Sequence, residues 1–422
     1  GEENRPFVVV HYGDSHTQGG LMPDEFRRLL SSTPISPGFI NKGFPMNWNA
    51  RINTRGRWRR HNWLRDDTGP FGPMGIAFET AQRGDEIEVD LVDKDFPSEG
   101  VRLTVFYSRE SPMRPFEMTA DGQTLFVGDD AKGDAKQTLV PAGMDWVSVN
   151  VPPRTRRVTL RTLGDRRRNQ RLRVFGFLIR YEASALEYDA LGVAGSVAEN
   201  LLEKGDDAVE QYLAFRQPDL MMFWFGTNEL NDPNLTAERY ERLFRSFLNR
   251  LAKASPSSSC LVVGPPDFSK RDKTCFLTKR QRRALNWRRS KARRNVLKKG
   301  LRDRVCEPDR LVNLRKRGRY RFPVPQVRNT VQWRAHKEAC QFRTVPNMTA
   351  FIEAQRRQAH AAGCLFFDTF QFMGGHGGMH TWACETQPQL GQLDHIHLTG
   401  EGYRRVARGI IDALNEAVSS PR

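Results

Sequence analysis

The sequence predicts an α/β protein in which a parallel sheet, covered by helices on both faces, is interrupted by an all-β insertion. Three observations carry this. Continuous apolar runs such as Val8-Val9-Val10, Leu220-Met221-Met222-Phe223-Trp224-Phe225, Leu261-Val262-Val263 and Leu365-Phe366-Phe367 alternate with helical stretches, the pattern of strands buried on both faces. Between about residues 34 and 187 the helical spacing stops, and short alternating strands follow one another, broken by Gly, Pro, Asn and Asp. Three of the apolar runs end in polar tips, at Asp14-Ser15, Gly226-Thr227-Asn228 and Pro265-Pro266-Asp267, and open α/β sheets hold their ligands at such strand ends.

Taken in order, Phe7 to Gly13 reads as the first strand, and a helix follows from Met22 to Leu30. The insertion then supplies Glu86–Leu91, Val101–Tyr107, Trp146–Val151 and Arg173–Ile179 as strands of a sandwich. The α/β pattern resumes with a short strand at Asp189–Gly192, a Gly turn to Gly195, and helices at Ala198–Leu202 and Ala208–Phe215. Beyond the Leu220–Phe225 strand come an amphipathic helix from Thr236 to Ala254, a strand at Cys260–Gly264, a helix from Met348 to Ala362, a strand at Leu365–Asp368 and a closing helix from Gly402 to Ala417. Three segments result: 1–33, the insertion 34–187, and 188–422.

At 422 residues the chain can bury a large core, and with 38% hydrophobic residues and no 18-residue apolar run it has no predicted membrane span. It opens Gly1-Glu2-Glu3 rather than on methionine, the start expected of a trimmed or mature exported form. Six cysteines (Cys260, Cys275, Cys306, Cys340, Cys364, Cys384) show neither a C-x-x-C pair nor zinc spacing, so no metal or other cofactor is expected. Cys260 and Cys364 each open an apolar strand, where a buried free thiol is common, while an even count in an exported protein also permits disulfides.

The formal charge of +17 is local. Residues 269–345 hold 26 Lys and Arg against 5 Asp and Glu, so the rest of the chain is slightly negative. The segment contains helical stretches (Lys279 to Lys299) and an Arg-rich part with prolines (Leu314 to Val327), with Phe276, Trp287, Tyr320, Phe322 and Trp333 interleaved. Such a segment suits nucleic acid or another polyanion; the alternative is a solvated arm with no ligand. Trp48, Trp58, Trp63 and Phe71 would serve either as sandwich core or as sugar platforms.

Ester hydrolysis by serine needs a nucleophile, an imidazole base, a carboxylate to orient it and donors for the oxyanion. Gly13-Asp14-Ser15 puts a serine on a strand tip, although Asp and Ser after Gly are also ordinary turn and cap residues. Near the C-terminus, Asp394-His395-Ile396-His397 places an Asp three residues before a His at the entry of the last helix. Both His395 and His397 are candidate bases.

Together these motifs resemble the SGNH, or GDSL, hydrolase superfamily, whose four blocks occur in order: Gly13-Asp14-Ser15-His16, the glycine of Gly192-Val193-Ala194-Gly195, Gly226-Thr227-Asn228-Glu229, and Asp394-His395-Ile396-His397. The resemblance implies Ser15 as nucleophile, His397 as base, Asp394 as its partner, and an oxyanion hole from the Ser15 and Gly195 N–H groups and the Asn228 amide. Asp14 is then left to shape the turn.

Gly72-Pro73-Met74-Gly75 and the Met373-Gly374-Gly375-His376-Gly377-Gly378-Met379 run with Trp382 are similar to the peptidoglycan O-acetylesterases of Gram-negative bacteria. That group implies a three-layer SGNH domain carrying a carbohydrate-binding-module-like β-sandwich, a periplasmic or cell-envelope location, and removal of acetyl from the muramic acid C6 hydroxyl. His16, Gly374, Gly375, His376 and Trp382 are its candidate substrate contacts. The basic segment at 269–345 departs from the group; because the rest of the chain resembles a cell-wall enzyme, its expected partner is an anionic envelope polymer or acidic glycan, with nucleic acid not expected. O-acetyl transfer, esterase action on another acetylated polysaccharide, and polyanion binding on a hydrolase scaffold remain as alternatives; oligomeric state is not legible.

Overall fold

The computed structural model describes residues 5–30, 36–42, 50–67, 69–91, 100–109, 113–128, 143–164, 170–270 and 342–419. Trp48, Cys275, Cys306, Cys340 and nearly all of the basic segment, with its expected helices and aromatics, lie outside those residues.

The chain divides into two compact units. The first comprises Gly1–Gly264, Thr349–Phe367 and Ala407–Arg422. It contains a five-stranded parallel sheet in the order Leu186–Gly192, Phe7–Gly13, Leu220–Trp224, Ser259–Val263, Leu365–Phe367. Val8, Val9 and Val10 in the second of these strands and Met221, Met222, Phe223 and Trp224 in the third are all buried, as strands covered on both faces require. Thr236 caps the Ala237–Ala254 helix by accepting the Arg239 N–H, and Tyr240, Phe244, Phe247, Leu248 and Leu251 supply its buried stripe. Arg216, on the Asp206–Arg216 helix, bonds Glu187 and Asp189 at 2.7 and 2.6 Å, all three buried, and so fixes the strand that leads to Gly195.

The expected all-β region consists of two antiparallel sheets. One runs Met144–Val151, Val101–Ser108, Leu172–Tyr181, Ile76–Thr80, Arg59–Asn62, with Gly38–Ile40 also on Leu172–Tyr181; the other runs Ala50–Arg55, Glu86–Leu91, Arg157–Thr162, Phe116–Ala120, Gln123–Val127. Ile87, Val89, Met118 and Leu160 from the second sheet share one buried cluster with Leu103, Val105, Phe177 and Ile179 from the first. Sheet-on-sheet packing of this kind is why the region alternates in sequence.

Sequence left Cys260 and Cys364 as buried thiols or disulfide partners, and the structure joins them to each other. The reason is register: Leu261 pairs with Leu365 across neighbouring parallel strands, so the preceding cysteines lie side by side with Cα atoms 4.7 Å apart. The second unit, Pro265–Met348 with Asp368–Val406, holds a two-stranded ladder of Ser269–Lys270 with Arg343–Thr344, the short helices Thr369–Phe372 and Gly378–Cys384, and the Asp394–His397 loop. No described helix is long and apolar enough to cross a membrane.

Candidate active site

Ser15 is delivered by a sharp strand-to-helix turn. Asp14 is the N-cap of the Ser15–Gln18 helix, and its Oδ1 accepts the His16 N–H at 2.9 Å. Gly13 permits the turn, because a Cβ there would stand 2.1 Å from Thr17 Oγ1 and 2.9 Å from the Trp224 carbonyl. Beneath it His11 bridges Tyr188 Oη (2.7 Å) and Thr17 Oγ1 (3.0 Å), and complete burial drives its pKa down to about 3, so it is a neutral spacer. His16 departs from its expected role. Its ring is fully buried and stacked on Trp224, 5.1 Å between centroids, so it supports the turn from inside instead of meeting a substrate.

The other two blocks of this unit close around Asp14. Gly195 adopts φ +88° on an exposed turn, and among the described residues nothing accepts its N–H. Asn228 donates both amide hydrogens within the unit, to Asp14 Oδ2 at 3.2 Å and to the Ser196 carbonyl at 2.9 Å. Asp14 therefore ties the serine block to the asparagine block, more than the turn-shaping expected of it.

Glu229 is a residue whose role sequence reasoning missed. Its buried carboxylate accepts the Ala198 N–H through Oε1 and the Gly226 N–H through Oε2, both at 2.9 Å, pinning the asparagine block to the helix that follows Gly195. Burial raises its pKa to about 7 against the opposing pull of those N–H groups. The signal was its place beside Asn228, but nothing in the sequence says what it faces. Because the folded pKa lies above the ordinary 4.5, its contribution to stability is complete below about pH 4.5 and is lost as pH rises through about 7. Glu229→Gln is expected to cost ~1–3 kcal/mol, since one buried N–H then faces an amide NH2, and to flatten the fall in stability between pH 5 and 8. Urea unfolding at the two pH values checks both.

In the second unit His397 Nδ1 and Asp394 Oδ2 are 2.7 Å apart, and Asp394 Oδ1 accepts the backbone N–H groups of Ile396 (2.9 Å) and His397 (3.0 Å). Partial burial disfavours the Asp394 carboxylate, but the His397 imidazole and those two N–H groups outweigh it and hold the pKa at about 2. The competing base, His395, is fully buried at φ +57° with its ring flat on Phe342 at 3.6 Å, while its carbonyl accepts the Ser269 N–H. It clamps the loop, and of the two histidines it is His397 whose ring is paired with Asp394.

His395 Nε2 also lies 3.1 Å from His380 Nδ1, and together with Cys384 the pair forms a cluster of metal-ligating type that sequence spacing did not reveal. Cys384 is disulfide-bonded, which removes the thiolate, and the two imidazoles satisfy each other, so the residues present do not suit a metal.

The glycine-rich run is anchored by the third strand tip. Asp267 Oδ2 accepts the Met379 N–H at 2.9 Å, and the Gly377 N–H donates to Thr344 Oγ1 at 3.0 Å; burial raises the Asp267 pKa. Gly374 and His376 are exposed there and Gly375 is buried, with Gly374, Gly375 and Gly377 at φ between +72° and +97°. Trp382 departs from expectation: only 4% exposed and covered by the Arg405 guanidinium, it is core and offers no ring face.

The family described as GDSL-like lipase/acylhydrolase matches residues 160–410, more than half of the chain. The chain belongs to that family. The match spans Gly195, Asn228, Asp394 and His397 of this acylhydrolase but begins after Ser15, whose assignment rests on the geometry around it. Across the whole GDSL-family chain, a solved structure entitled "Peptidoglycan O-acetylesterase in action, 5 min" shares the fold at TM-score 0.63 with 19% identity, covering 99% of this chain and 93% of that one. An acetyl xylan esterase (TM-score 0.30, 13% identity, 54% of this chain and 81% of its own) and a lipase/acylhydrolase from Enterococcus faecalis (0.28, 12%, 55% and 77%) are also similar over part of the chain. No curated protein sequence matches this acylhydrolase.

Proposed function

We propose that this acylhydrolase is a serine esterase that removes O-acetyl groups from a cell-wall glycan, with the muramic acid C6 acetyl of peptidoglycan as its substrate. The observation that carries the reading is the 2.7 Å pair of His397 and Asp394, which fixes Nδ1–H toward the carboxylate and makes Nε2 the basic nitrogen. Ser15 Oγ attacks the acetyl carbonyl while its proton passes to His397 Nε2. The oxyanion is met by the Ser15 and Gly195 N–H groups and the Asn228 amide, which gives up its longer bond, the 3.2 Å one to Asp14. Collapse expels the sugar hydroxyl, which takes the proton from His397, and water repeats the sequence to release acetate.

The further assignments belong to the same reading. The two antiparallel sheets of segment 34–187 are a carbohydrate-binding sandwich set between 1–33 and 188–422, Gly374, Gly375 and His376 border the glycan, and the basic stretch 269–345 binds an anionic polymer. The Cys260–Cys364 disulfide supports an exported protein in a periplasmic or envelope compartment.

Acetate release from O-acetylated peptidoglycan, acetylated xylan and an acetylated acidic exopolysaccharide tests the substrate, with a glycan acceptor added to detect transfer. Peptidoglycan is expected to lead in kcat/KM by at least about tenfold, a difference that pocket contacts of ~1–3 kcal/mol supply. Equal rates on all three would remove peptidoglycan from the assignment, and acetylated acceptor in place of acetate would make the protein a transferase.

A further inference from the structure

We propose that Leu64, a residue of the all-β region, is the wall that restricts the acyl group of the substrate to acetyl. The proposal rests on the esterase reading above and adds its acyl specificity.

The position is unusual in three respects. A Cβ built on Gly195 would find one described atom within 4 Å outside its own chain neighbours, Leu64 Cδ1 at 3.5 Å. Leu64 is a large apolar residue left 37% exposed. The turn that bears it is held from several sides. Trp63 Nε1 donates to Ser196 Oγ at 2.9 Å, the Leu64 N–H donates to Asn62 Oδ1 at 2.8 Å, the Asn62 N–H donates to Asp66 Oδ2 at 2.8 Å, and Lys204 Nζ reaches the carbonyls of Trp63 and Asp66 at 3.0 and 3.2 Å. Trp63 itself lies on Gly75, where a Cβ would strike its ring at 2.1 Å.

Ser196 closes the connection, because its carbonyl receives the Asn228 amide. Leu64 is thus fixed relative to both Gly195 and Asn228, two of the three donors expected to meet the oxyanion. A branched alkyl group has no hydrogen bond to offer a sugar hydroxyl, whereas it suits the acyl methyl, the apolar group carried on the reacting carbonyl carbon. A wall held this firmly would accept a methyl and resist each further methylene, for which pockets of this kind discriminate about 10-fold or more.

The test measures kcat/KM for 4-nitrophenyl acetate, propionate and butyrate, and for a second series of acetate esters with different leaving groups. Leu64→Ala is expected to raise the butyrate-to-acetate ratio about tenfold, and Leu64→Trp to lower the propionate-to-acetate ratio; Leu64→Met, of similar volume, should stay near the parent and guards against a misfolded alanine variant. An acyl ratio unchanged within about twofold, or a change confined to the leaving-group series, overturns the proposal. Loss of all activity in Ser15→Ala alongside an unchanged acyl ratio leaves the esterase reading standing and removes this inference alone. Full activity in Ser15→Ala removes both.

Discussion

Ser15→Ala is expected to lower kcat for acetyl-ester hydrolysis by at least ~10^4-fold, because in the proposed mechanism Ser15 alone forms the acyl-enzyme and without it only oxyanion stabilisation and binding remain. The variant should fold. The cap of the Ser15–Gln18 helix is made by the Asp14 carboxylate accepting the His16 N–H, and the strand before it is held by parallel pairing on both sides, so the hydroxyl is not what shapes the turn. Acetate release, the melting temperature and the mass of the protein after treatment with an irreversible serine-directed sulfonyl fluoride are the three measurements. The parent should gain the adduct and lose activity together, and the variant should show neither. Undiminished acetate release with an intact fold would displace Ser15 as nucleophile.

What the sequence made legible is what depends on local pattern. The apolar runs at residues 8–12, 220–224 and 261–263 are buried, and each of the four blocks stands at a turn that regular spacing exposes. Interior partners were hidden because they arise from register between distant strands. Cys260 meets Cys364 because the two strands pair in parallel at the following residue. His16 looked like a substrate contact from its place in the serine block, yet Trp224 on the neighbouring strand takes its ring inward. Trp63 became a tether of the Gly195 turn through Ser196, which no spacing predicts across more than a hundred residues. The ambiguity of His395 against His397 was likewise one of side-chain direction: Asp394 claims one imidazole, and Phe342 and His380 claim the other.

Asp394→Asn separates orientation of the imidazole from the stability of its loop. In the parent, Oδ2 faces Nδ1 of His397 while Oδ1 accepts two backbone N–H groups. Asparagine retains one acceptor oxygen for those N–H groups, so the loop should hold. Its amide then points donors at Nδ1, which turns the imidazole to the tautomer with Nε2 protonated and leaves no lone pair for the Ser15 proton. The expected result is a drop in kcat of about 10^4-fold with KM little changed. The parent carboxylate, held at about pKa 2, stays ionised across the working pH range, so the acid limb of the pH–rate profile belongs to another group. Its depressed pKa also gives a sign for stability. The contribution is present above the ordinary 3.8 and lost as pH falls through about 2, so the parent should exceed the Asn variant in stability by a constant margin above pH 5 that shrinks below pH 4. Asp394→Ala removes the backbone acceptor as well, and should therefore lose both kcat and loop order, read as faster amide exchange at Ile396 and His397. An asparagine variant with parental kcat would mean that the imidazole is oriented by something other than Asp394, and the pairing that carries the functional reading would fall with it.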